Sequence, residues 1–422
     1  MPFQLCRSAI LSSLCAYSLV AWADPPAPAS PTPSPVPGSP AGLPGNTTSP
    51  FWTQNQVTGD FGDLRPQMEK NGLTFGLDVV SQLFGNFVGG IHRGTTMAST
   101  LDLKISQAVE TSGTLYLDLQ EHAGPDPSQN LTGDIQKFSD FNNAPFFHAA
   151  ELWYEQSMLN DTWRLKIGKM DANNEFYIVD NGANFLNSSA QISPAVVDFP
   201  TYPTTMLGAN IFFTPGNTYY ASFGVYDATR GDKFLDFKGA SQNNQFPAGG
   251  VFLLGETGLK WASLGTWQAD GKLRLVGWEE TGSLPTFDGG EKHGTYGFYG
   301  IFNQTLWKPD WDPAETRGVR MFLEYAETPG DVSIVDRHIG AGFTWTGPFP
   351  NHPADVIGIG PEYVNLSDKA GVPKPFELAA EAFYLYQLAP WALIQPDLQY
   401  ICHPGGIYPN ALVGTLQVTL HF

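Results

Sequence analysis

From Leu73 to Phe422 the chain contains no amphipathic helix of any length and no long apolar run. Short segments rich in Gly, Phe, Tyr, Trp and Thr recur instead, each of about strand length. They fall at 73–84, 98–109, 114–122, 148–158, 162–170, 207–214, 218–227, 252–262, 271–281, 294–308, 318–328, 337–347, 356–366, 376–389, 392–402 and 411–422, sixteen in all. Several alternate strictly: Leu101, Leu103 and Ile105 oppose Asp102, Lys104 and Ser106, and Leu115, Leu117 and Leu119 oppose Tyr116, Asp118 and Gln120. Trp163, Leu165 and Ile167 oppose Arg164, Lys166 and Gly168. In the last segment Leu412, Gly414, Leu416, Val418, Leu420 and Phe422 share one face, and Val413, Thr415, Gln417, Thr419 and His421 the other. A period of two means that one face meets an apolar medium and the other a mostly polar one. As an open edge the last segment would invite aggregation; in a closed ring no edge remains.

The connections favour the ring. Links at 110–113, 159–161, 215–217 and 390–391 are short, whereas those after the first, third, fifth and seventh segments are long, the longest being 171–206. Short turns at one end and long loops at the other, with an even strand count, predict an all-β, antiparallel up-and-down transmembrane barrel of about 16 strands over 73–422. Segments of nine to eleven residues suit a tilted span of the hydrocarbon layer. Aromatic pairs at strand ends (Trp153-Tyr154, Phe212-Phe213, Tyr219-Tyr220, Tyr384 to Tyr386) fit interfacial girdles.

Residues 1–23 read as a signal peptide: Arg7, an apolar run from Ala9 to Val20, then Ala21-Trp22-Ala23 before Asp24. Residues 24–50 form a Pro-rich spacer unable to bury a core, and 51–72 a short turn-and-helix lead-in. Cys6 and Cys15 leave with the leader, so Cys402 stands alone and no internal disulfide forms. The 41 acidic residues against 22 basic ones exclude nucleic acid as a partner.

Three blocks carry a family resemblance. The stretch from Leu64 to Leu77 (LRPQMEKNGLTFGL) resembles the opening segment of the carbohydrate-selective, OprB-like porins of Gram-negative outer membranes. Lys166 to Asn173 (KIGKMDAN) with Phe185 to Ser189 (FLNSS) is similar to their central block, and Gln395 to Tyr400, His403 to Gly406 and Asn410 to Leu412 to their penultimate strand and loop. The resemblance implies a sixteen-stranded outer-membrane barrel with inward-folded constriction loops. It implies passive diffusion of glucose and related small neutral sugars into the periplasm. Outer-membrane lipid and lipopolysaccharide would surround the barrel, and the terminal Phe422 resembles the signal read by the barrel-assembly machinery. Homo-oligomers occur among porins, but no interface patch is legible here.

A porin needs a wet lumen, a constriction and wall groups that tolerate hydroxyls. The 36 residues of 171–206, at ~3.3 Å per extended residue, suffice to cross a lumen. Asp171, Asn173, Glu175, Asp180 and Asn184 offer donors and acceptors for sugar hydroxyls. Arg164 and Lys166 sit on the polar face of their strand, since exposure to lipid would cost ~2–4 kcal/mol; with Lys169 they complete the pore-lining candidates. Facing Asp171 and Glu175, they either set a transverse field or form salt bridges that pin the loop.

No catalytic, cofactor or metal site is proposed by the sequence. There is no G-x-S-x-G elbow and no H-E-x-x-H, and the eight histidines are scattered singly. The chain therefore reads as a channel and not an enzyme. A general ion or solute porin and, more distantly, a secreted sugar-binding β protein stay open as alternatives.

Overall fold

The computed structural model describes residues 51–109, 112–229, 234–238, 249–265, 269–311 and 315–422. The expected leader (1–23) and spacer (24–50) lie outside the described residues. The strands are β1 (Leu73–Val88), β2 (Gly94–Val109), β3 (Gly113–Ala123), β4 (Phe146–Met158), β5 (Trp163–Met170), β6 (Met206–Phe213), β7 (Tyr219–Asp227), the short β8 (Asp236–Lys238), β9 (Val251–Trp261), β10 (Gly271–Pro285), β11 (Glu291–Trp307), β12 (Gly318–Glu327), β13 (Val335–Thr346), β14 (Val356–Leu366), β15 (Phe376–Ala389), β16 (Ala392–Cys402) and β17 (Ala411–His421). All but β8 form one antiparallel ring in sequence order, with β7 pairing directly to β9. The ring closes where β1 pairs with β17, Asp78 opposite His421 and Gly85 opposite Gly414. The barrel thus has sixteen strands and no free edge.

The period-two pattern is realised as inside and outside. Leu165, Ile167, Leu275, Phe298, Leu323, Phe343, Ile359, Leu398 and Leu416 point outward and are exposed, the band that lipid covers. The alternate positions, among them Lys166, Arg274, Tyr299, Glu324, His338, Glu381 and Gln399, point inward and are buried.

Several expectations need correction. The link after β1 is short, 89–93, because β1 and β2 run beyond the expected segments. Asn86 holds this tip together, its amide donating to the carbonyls of Gly89, His92 and Leu131 at 2.9–3.1 Å. Loop sorting also fails in the C-terminal half, where 262–270, 308–317 and 347–355 at one rim match 286–290, 328–334 and 367–375 at the other. Of the aromatic pairs, Trp153, Phe212 and Tyr220 face inward, where cations sit over their rings; their neighbours face out, as do Tyr384 and Tyr386, which alternate with the buried Phe383 and Leu385.

Ahead of the barrel, helix α1 (Leu64–Lys70) packs at the rim that carries the C-terminus. Arg65 is buried there, donating to Phe75 O at 2.7 Å and lying over the Phe75 ring. Phe51 and Trp52 pack on Trp391 of the 390–391 turn, centroids 4.7 and 5.5 Å away.

The main apolar core lies inside the barrel. Phe176, Tyr177, Phe185 and Phe199 of the long loop pack on Phe252, Trp278, Tyr299, Phe322 and Phe383 of the wall. A wholly wet lumen is therefore not what the residues build.

Candidate functional site

The segment between β5 and β6, residues 171–205, folds into the barrel. Asp171 sets its entry: the carboxylate accepts the backbone N–H of Asn173 at 2.8 Å and that of Tyr202 at 3.1 Å, tying the two stems together. Ala172 N–H adds a bond to Pro200 O. Burial pushes the Asp171 carboxyl up to about 6, against the lowering pull of these hydrogen bonds. Asn173 spends its side-chain amide on Phe176 O and Tyr177 O, at 3.2 and 3.1 Å, which shapes the turn.

Glu175 is the first anchor. Its carboxylate receives two bonds from Arg164, at 3.2 and 2.7 Å, and a short one from Lys166. Glu155 takes a further bond from Arg164 at 2.6 Å and faces Lys166 at 3.6 Å. The Arg164 guanidinium lies 3.8 Å above the Phe212 ring, and Lys166 Nζ 3.9 Å above Trp153. Burial raises the Glu175 carboxyl, but Lys166 and Arg164 together outweigh it and hold the group below its ordinary value. Two cations and two anions thus neutralise each other and pin the segment to β4 and β5.

Asp180 is the second anchor, bound by Arg274 of β10 at 3.2 Å and near Lys272 at 3.7 Å. Arg274 also bonds Glu256 of β9 at 3.0 Å. Asn181 then donates to Met321 O at 2.8 Å and accepts nothing from its neighbour Asn303, whose Oδ1 instead receives the Asn181 N–H. Asn184 contributes its carbonyl, which accepts from Gln395 of β16 at 2.8 Å.

The far anchor is a residue that the sequence reading did not single out. Glu381 of β15 accepts the N–H groups of Leu186 and Asn187, at 2.7 and 3.0 Å, and Asn187 donates to Gln399 of β16. Seven steps around the ring separate β5 from β15 by way of β17 and β1, so the segment bridges nearly opposite walls. Loop 124–145 also turns inward: Glu377 of β15 accepts from Ile135 and Gln136, both at 2.9 Å. It clasps the first segment through Ser188 N–H to Lys137 O and Asp140 N–H to Leu186 O.

Of the eight candidates, the structure brings Arg164, Lys166 and Glu175 into one ion cluster, with Asp171 and Asn173 at the stem beside it. Asp180 and Asn184 sit farther along the same segment on other strands' side chains. Lys169 falls on the opposite alternation phase, buried and donating to Phe234 O at 2.7 Å.

A closed sixteen-stranded barrel with apolar outside, charged inside and loops folded across its interior defines a bacterial outer-membrane porin. The model of the carbohydrate-selective porin, OprB family, matches residues 95–422, and the chain belongs to this family. It is 21% identical to a putative porin QuiX of Acinetobacter baylyi over 88% of this chain and 94% of that protein. It is equally 21% identical to Porin B of Pseudomonas aeruginosa, over 87% and 91%. The high-pH structure of Pseudomonas putida OprB superposes with a TM-score of 0.78 at 18% identity, covering 89% of this chain and 100% of that one.

Proposed function

We propose that the chain is a passive diffusion channel for small neutral sugars of about glucose size, narrowed by residues 171–205. The observation that carries this is the bridge itself, fixed at Glu175 to β5 and at Leu186 and Asn187 to β15. A segment held at both ends reduces the aperture without acting as a freely moving lid. Arg164, Glu155, Lys104, Asp78 and Asp180 retain side-chain exposures of 29, 18, 23, 21 and 42%. These wetted groups are of both signs and each is ion-paired, Asp180 with Arg274 and Lys272, which favours solutes rich in hydroxyls over ions of one charge. Export by residues 1–23 and recognition of Phe422 during barrel assembly belong to the same reading.

The test is swelling of liposomes containing the purified protein, with neutral sugars of graded size beside charged solutes. Fast entry of hexoses, with small ion conductance reduced by added sugar, is the expected result. Entry ordered by charge and unsaturated by sugar would replace the reading with a general porin.

A further inference from the structure

Three neighbouring strands converge on one spot of the inner wall. Glu324 of β12 and Glu362 of β14 both lie in register with Gly340 of β13. Two carboxylates thus flank a position with no side chain, across a gap of about 10 Å between backbones two strand spacings apart. A Cβ at Gly340 would fall 2.1 Å from Glu362 Oε2 and 2.6 Å from Glu324 Oε1; the two side chains meet over the glycine. His338, two residues away on the same face of β13, brings Nε2 to 2.9 Å from Glu362 Oε2. One donor atom from each residue falls within 4.8 Å of the others. Exposures are 3% for Glu324, 0% for His338 and 2% for Glu362.

Two further facts point to a bound cation. Glu324 Oε1, aimed at this spot, and Glu362 Oε1 have no hydrogen-bond partner. Among the described residues, no lysine or arginine forms an ion pair with either carboxylate; Glu362 has only His338. Two buried carboxylates sharing one imidazole are undercompensated, and such groups are costly unless paired or bound to a metal.

We propose that Glu324, His338 and Glu362 form a binding site for a divalent transition-metal ion of the zinc class. Two carboxylate oxygens and one imidazole nitrogen, without thiolate, suit Zn²⁺, Co²⁺ or Ni²⁺; calcium would ask for six or more oxygens. Adjacent donors on an ion bound at about 2.0–2.2 Å are separated by about 3 Å, which the His338–Glu362 pair already satisfies. The other oxygen of Glu324 accepts the Tyr177 hydroxyl at 2.9 Å, so the ion would brace the inward segment against β12. His338 Nδ1 has no acceptor, and a missing outer-shell partner lowers affinity by about 10–100-fold relative to a fully supported site.

The experiment uses the purified full-length protein in detergent, its folding verified by heat-modifiable migration, stripped with chelator and titrated with Co²⁺. Expected are one Co²⁺ per chain with visible d–d absorption and displacement by Zn²⁺. His338→Ala and Gly340→Ala should each lower the affinity at least tenfold, whereas the control His293→Ala, at an exposed position near the start of β11, should not. Equal binding by wild type and folded His338→Ala overturns the proposal. So does the absence of stoichiometric Co²⁺ binding and d–d bands in the folded wild type, a result that stands even if the variants fail to fold.

Discussion

Replacing Glu175 by Gln keeps the volume of the side chain and removes the charge that joins the inward segment to β5. Three contacts change together: two hydrogen bonds from Arg164 and the Lys166 ion pair. Breaking a buried ion pair from one side costs about 3–5 kcal/mol. Here Arg164 keeps 29% exposure and both cations keep Glu155, so the loss falls to about 2–3 kcal/mol, between the buried and exposed limits. At about 1.4 kcal/mol per factor of ten, local opening rises about 30- to 150-fold. The effect should be confined to one end, because Glu381 holds the other independently. Amide hydrogen exchange distinguishes the ends: the Glu175 and Phe176 N–H groups, bonded to Ala172 O at 3.1 and 2.8 Å, should exchange faster by that factor. The Leu186 and Asn187 amides should not change. Unaltered exchange at Glu175 and Phe176, or equal acceleration at both ends, would refute the two-anchor account.

Three further outcomes follow from the same geometry. Glu381→Gln leaves one acceptor for two amides and should destabilise the 186–187 end by about 1–3 kcal/mol, read as faster exchange at Leu186 and Asn187 with the Glu175 end unmoved. Ile359→Arg, at a position 60% exposed on the outer wall, should cost about 2–4 kcal/mol of barrel stability if it lies at mid-bilayer depth, measured by denaturant unfolding in lipid vesicles. The pH dependence of the loop should turn over: Asp171, raised from 3.8 to about 6 in the folded loop, contributes stability that is full below about 4 and lost as pH rises through about 6. Glu175, lowered from 4.5, contributes stability present above 4.5 and lost as pH falls through its lower folded value. Loop protection should therefore peak in mildly acidic solution, and Asp171→Asn should abolish its decline toward neutrality.

What the sequence made legible depends on how local the physical cause is. All sixteen barrel strands could be read because lipid on one face and a different medium on the other force a period of two within each segment. The length of 171–206 was enough to show that it can cross a lumen, but its far anchors were hidden: Leu186 meets Glu381 from 195 residues away, and nothing local announces that pairing. Lys169 could have been separated from Lys166 by counting, since an odd offset changes faces on a strand. The filled interior also left a trace. On the inner phase β1 to β3 carry Asp78, Gln82, Thr100, Asp102, Lys104, Asp118 and Gln120. The same phase of β10 to β15 carries Val276, Trp278, Tyr299, Ile301, Phe322, Val364 and Phe383, all buried. Large apolar side chains on both faces of a barrel strand have no reason to exist against water, so something must pack on them. The inward segment does, through Phe176, Tyr177 and Phe185. The apolar inner wall therefore marks where the loop rests, whereas the same phase of β1 to β5 carries the ion pairs Lys104–Asp78 and Arg164–Glu155.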